Sequence, residues 1–205
     1  MKKTTKALLL TACALVLVIG SVFGTLAYLT SQDSVTNTFT VGNVIITLDE
    51  KDVDNSTAGE NDRDKANSYK LLPGHQYEKD PIVHVDPTSE NCYLFVKVVN
   101  EIAAIEDETT VANQMKAKGW IAVAGVENTF VYVGTAEGTS APLAVSANSD
   151  ITVFESFKIK GSVTNEQLAA YAGETIVVTA YAVQTDGFEN EAAVNIWNTA
   201  FGAQQ

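Results

Sequence analysis

Few side chains in this chain could run a reaction, and their spacing builds no familiar catalytic motif. The histidines are His75 and His84, nine residues apart across a turn and into a strand-like run. No His-Glu-x-x-His pair sets two imidazoles on one helix face, so a zinc hydrolase has no motif to stand on. Both histidines read as surface or edge residues. Cys92 lies in NCYLFVKVVN, the most apolar strand-like run. A nucleophilic thiol needs an electropositive, accessible setting, so Cys92 reads as a buried structural thiol. Glu155 in ITVFESFKIK is the carboxylate closest to apolar neighbours, but the alternation puts it on a solvent face. Asp52 and Asp54 begin a calcium-loop spacing that lacks the glycine at position six and the glutamate at position twelve. No Gly-x-Ser-x-Gly elbow occurs. The expectation is a non-enzyme without cofactor or metal.

The chemistry that the sequence does announce is performed on the chain. Lys2, Lys3 and Lys6 precede an apolar run from Ala7 to Phe23, followed by Gly24-Thr25-Leu26-Ala27. Thr25 and Ala27 supply the small residues of a secretory cleavage site, with Tyr28 as the new first residue. Residues 1–27 are therefore expected to be a signal peptide. The competing reading is an uncut anchor, since the stretch from Ala7 to Leu29 exceeds the ~20 residues that span a bilayer. Leu10-Thr11-Ala12-Cys13 has the outline of a lipobox, but the strongly apolar sequence after Cys13 argues for a filler residue in the signal helix.

Cleavage would remove three lysines and no acids, moving the net charge from −12 to −15. Phosphate backbones require a basic surface, so nucleic acid is excluded as a partner. Only Cys92 would remain, which rules out a disulfide within the chain. The fold must rest on its apolar core.

The elements behind these residues are strands. Leu29, Val35, Phe39 and Val41 share parity and would face one side of a strand, with Thr36, Thr38 and Thr40 on the other. After Gly42-Asn43, Val44, Ile46 and Leu48 alternate with Ile45 and Thr47. Residues 49–67, DEKDVDNSTAGENDRDKAN, read as a solvated acidic loop. Further strands are expected at 81–85, 91–100, 120–123, 130–133, 151–159 and 175–183, the run 91–100 being apolar on both faces like a central strand. Short helices are expected at 107–118, at 164–171 with Thr164 and Gln167 forming a capping box, and at 189–201. Strands that do not alternate with helices indicate an all-β fold with a few short helices: one antiparallel β-sandwich domain. Residues 28–48 form its leading strand segment and 49–205 the remainder.

Two segments carry a resemblance. Gly24-Thr25-Leu26-Ala27-Tyr28, followed by Phe39-Thr40-Val41-Gly42-Asn43-Val44-Ile45-Ile46, is similar to the start of the TasA and camelysin (CalY) family. Leu72-Pro73-Gly74-His75-Gln76-Tyr77-Glu78-Lys79-Asp80-Pro81 looks like that family's Pro-Gly-x-x-x-x-Lys segment, and Ala180-Tyr181-Ala182-Val183-Gln184 like its closing strand. The resemblance implies a jelly-roll-like sandwich, cut by a SipW-type signal peptidase, secreted to the cell surface or matrix, and polymerised head to tail into biofilm fibres. It implies donor-strand complementation, in which the strand carrying Tyr28, Leu29, Val35, Phe39 and Val41 fills a groove in the next copy. Other matrix proteins or polysaccharide are further partners it admits. The metallopeptidase activity ascribed to camelysin-like members does not transfer, for want of a metal motif here. The alternative reading is a monomeric, membrane-anchored adhesion or binding module at the cell surface.

Overall fold

The computed structural model describes residues 2–26, 42–55, 62–136, 138 and 140–202, and of 18–26 the backbone alone. Two compact units divide the chain near residue 40. The first contains helix α1, Lys3–Leu26, where a run of leucine and alanine meets no helix breaker before Gly20. Among the described residues no helix is long and apolar enough to cross a membrane.

The second unit is mostly antiparallel β-sheet. Its strands are β1 (Ile46–Lys51), β2 (Arg63–Asp64), β3 (Gln76–Glu78), β4 (Ile82–Val85), β5 (Cys92–Asn100), β6 (Trp120–Ala122), β7 (Thr129–Tyr132), β8 (Ala144–Val145), β9 (Ser149–Thr152), β10 (Ser156–Lys158) and β11 (Ile176–Gln184). A four-stranded sheet runs β2-β1-β4-β9, a five-stranded sheet runs β11-β5-β7-β6 with β8 also on β5, and β10 pairs with β3. Helices α2 (Val111–Ala117), α3 (Asn165–Ala169) and α4 (Ala193–Phe201) complete it. Thr110 caps α2 by accepting from the Asn113 amide, and Thr164 and Gln167 close the expected capping box on α3.

Alternation decides where the core lies. Val44, Ile46 and Leu48 pack inward from β1 and its lead-in, against Val83 and Val85 of β4 and Leu94, Val96 and Val98 of β5. The opposite face of β5 carries Tyr93 and Phe95, which would be exposed were it not for α4: Ile196 and Trp197 cover them in a second cluster. That is why the 91–100 run is apolar on both faces. Trp120 is buried in the first cluster and donates its indole N–H to the Thr152 carbonyl at 2.9 Å, tying β6 to β9.

Two expectations need correction. The run 151–159 is not one strand: β9 pairs with β4 and β10 with β3. The register nevertheless continues across the gap, because the Val153 amide reaches the Pro81 carbonyl and the Lys79 amide reaches the Glu155 carbonyl. Proline has no N–H to return the bond, so the ladder fails locally opposite Val153. The acidic stretch is also not all solvated loop. Glu50 and Lys51 pair with Asp64 and Arg63, and Glu50 is buried. Strands β3 and β8 fall where no strand was expected.

Gly119 shows how tightly β6 is entered. Its φ is +90°, and a Cβ there would lie 2.5 Å from the Gly134 carbonyl carbon and oxygen. Gly119→Ala is expected to lower stability by about 2–4 kcal/mol through strain and overpacking, read as a lower urea midpoint with unchanged slope.

Candidate functional site

Hydrogen-bond phase shows which backbone groups each strand edge presents. The Glu101 amide donates to the Thr175 carbonyl and the Thr185 amide to the Asn91 carbonyl, both in register with the β5–β11 ladder. The odd residues of β11 therefore bond toward β5, and the even ones, Ile176, Val178, Ala180, Ala182 and Gln184, point their N–H and C=O groups outward. Likewise the Asp86 amide donates to the Ile45 carbonyl, so Ile46 and Leu48 of β1 point away from β4. From Glu50 onward that outer edge is taken by β2. Among the described residues no strand pairs with the outer edge of β11.

A groove of about 1150 Å³ is lined by residues of both edge strands. That is slightly above the ~300–1,000 Å³ of ordinary ligand pockets. Its apolar lining includes Leu48, Pro81, Ile102, Phe157, Leu168 and Val178. Ile176, Val178, Ala180 and Ala182 pack against the core from β11 while remaining half-buried.

The groove also has a polar wall. Lys79, with a side chain 10% exposed, donates to Glu50 at 2.5 Å, and Asn67 donates to Glu50 at 3.0 Å. Glu50 shares parity with Ile46 and Leu48, which is the sequence signal that could have placed it inward. Beside this wall, Arg63 bonds Asp49 and also Asp80 at 3.1 Å. Burial opposes ionisation of Asp49, but hydrogen bonds from Arg63 and His84 outweigh it and hold its carboxyl below the usual range.

The residues singled out from sequence fall in different places. Ala27, Tyr28, Leu29, Val35, Phe39 and Val41 lie outside the described residues, and Thr25 is part of the α1 backbone. His75 stands apart from His84: it packs edge-on to Tyr77, centroids 4.6 Å apart, and Tyr77 stacks on Phe157. His84 is an ion-pair residue between Asp49 and Asp150. Cys92 is fully buried, and burial pushes its thiol up to about 11. Glu155 is exposed and pairs with Lys118 at 2.5 Å. Sequence reading missed Glu106, which is buried with its carboxylate accepting from the Val111 amide at 3.3 Å, and whose pKa is raised chiefly by burial. Among the described residues no three His, Cys, Asp or Glu side chains gather to hold a metal.

Comparison with protein-family models, curated proteins and solved structures returned no match.

Proposed function

We propose that the protein is a secreted structural subunit of extracellular matrix fibres, resembling TasA and camelysin, whose jelly-roll-like sandwich is completed by a strand from another copy. One observation carries the reading: the groove lined by residues of β1 and β11, with outward backbone groups at Leu48, Ile176 and Val178 in its lining and at Ile46, Ala180 and Ala182 along the same strands. An incoming strand gains a hydrogen-bond ladder along the edge, while side chains of one parity enter the apolar lining. Of the two edges, β11 is the receiving one, because among the described residues no strand pairs with the outer edge of its nine residues, whereas β2 pairs with β1 from Glu50 onward. The donor is the leading segment, with Leu29, Val35, Phe39 and Val41 on its apolar side, freed when a SipW-type peptidase cuts before Tyr28. Apolar burial of four side chains does not offset the ordering of the whole segment, so the ladder decides, and assembly is seeded and conditional. A head-to-tail contact that does not close gives a filament. Screening of the −15 charge by salt favours growth.

The test compares a chain starting at Tyr28 with one starting at Ser34, by electron microscopy with and without salt. The first is expected to form filaments and the second to remain globular. Equal filaments from both would defeat the donor-strand reading.

A further inference from the structure

Carboxylates only accept hydrogen bonds, and one imidazole here touches two of them. His84 Nδ1 lies 2.6 Å from Asp150 Oδ1 and its Nε2 lies 3.0 Å from Asp49 Oδ1. Both contacts are satisfied only when both ring nitrogens carry protons, so the observed arrangement belongs to the imidazolium. His84 sits on the central strand β4, with Thr47 opposite it on β1 and Asp150 opposite it on β9. The charged groups facing it are Asp49 from β1 and Asp150 from β9. Arg63 of β2 reaches it through Asp49 and continues to Asp80, on the segment between β3 and β4. This chain of alternating charge clasps four strands and the 79–80 connector, and it includes Asp49, which also lines the groove.

We propose that His84 is a pH-responsive clasp on the sheet beside the groove: doubly protonated it ties β1 to β9 across β4, and on losing a proton it releases one aspartate and slackens the strands that hold Asp49, the one member of the clasp that lines the groove. Its bearing on fibre growth rests on the reading of the groove as the acceptor of a strand. The proton affinity agrees with the geometry. Burial works against the charge, but the hydrogen bonds and charges of Asp49 and Asp150 raise the imidazole above its ordinary value. A raised folded-state pKa gives a contribution fully present below the unfolded value, ~6.5, and lost as pH rises through the folded value. The clasp is therefore closed in mild acid and opens as pH rises through its raised midpoint.

The experiment uses the processed chain from Tyr28 and its His84→Gln variant, melted between pH 6 and pH 9. Comparing the two proteins isolates His84 from His75, Glu106 and every other titrating group. The wild-type advantage in melting temperature is expected to shrink by about 2–4 °C across that range, the shift that ~1 kcal/mol produces in a domain of this size. The His84 ring proton resonance should titrate above ~6.5, and Asp49→Asn should move that midpoint down. A pH-independent difference between the two proteins, or a midpoint at or below ~6.5, overturns the clasp. Seeded filament growth should slow several-fold from pH 6 to pH 9 in wild type, and the His84→Gln variant should lose that ratio. If the clasp titrates as expected but no filament forms at any pH, the fibre reading falls and the clasp stands. If filaments form and grow at the same rate at both pH values, the link from clasp to assembly is refuted.

Discussion

Ala180→Pro is expected to slow the proposed filament growth by roughly tenfold or more while leaving the subunit folded, and Thr179→Pro, one residue earlier, to unfold it. The contrast follows from hydrogen-bond phase alone. The N–H of Ala180 points out of the sheet edge, so proline there removes no bond within the subunit, the setting in which edge strands tolerate it. It does remove a bond from the incoming strand, net ~1 kcal/mol, and puts a ring where that strand must approach. Elongation should fall by roughly tenfold or more, since each ~1.4 kcal/mol is a factor of ten. Thr179 points toward β5 opposite Lys97. Proline there leaves the Lys97 carbonyl unpaired inside the central ladder, at about 1–3 kcal/mol before backbone strain is added. Circular dichroism melts and seeded growth assays on both variants check this. Filaments from Ala180→Pro at the wild-type rate would remove β11 as the receiving edge.

Lys79→Met is expected to be the most damaging single substitution of a charged residue. Its ammonium and the Glu50 carboxylate are both about nine-tenths buried, 10% and 6% exposed. Removing Lys79 strands the buried Glu50 charge with only Asn67 donating to it, which costs about 3–5 kcal/mol. For a domain of this size that is a fall of roughly 6–20 °C in melting temperature. The double variant Lys79→Met, Glu50→Leu should recover most of the loss, because a well-packed apolar pair can replace a buried ion pair. Thermal melts of both proteins decide the point.

Much of the architecture was legible because parity is legible. Val44, Ile46 and Leu48 announce a half-buried strand, Thr164 and Gln167 announce a helix start, and the double-faced 91–100 run announces a central strand. What lay beyond reach were features fixed by partners distant in sequence. Nothing local to 151–159 shows that its middle will face Pro81. Nothing in 49–67 shows that Arg63 will return to Asp49 and Asp80. The polar wall of the groove joins Glu50, Asn67 and Lys79 from three segments, so no spacing rule could find it. The cover on β5 was visible only as its consequence, since an apolar second face requires a lid and the lid is α4.

The register of the sheets has a kinetic meaning as well. Cys92 faces Gln184, Glu78 faces Ser156 and Ile82 faces Thr152, so the main ladders close only when stretches far apart along the chain have found each other. Folding dominated by such distant pairings takes on the order of milliseconds to seconds. The central strand β5 cannot complete its ladder until Ile176–Gln184 is available, so the tertiary structure sets only when nearly the whole chain has been made.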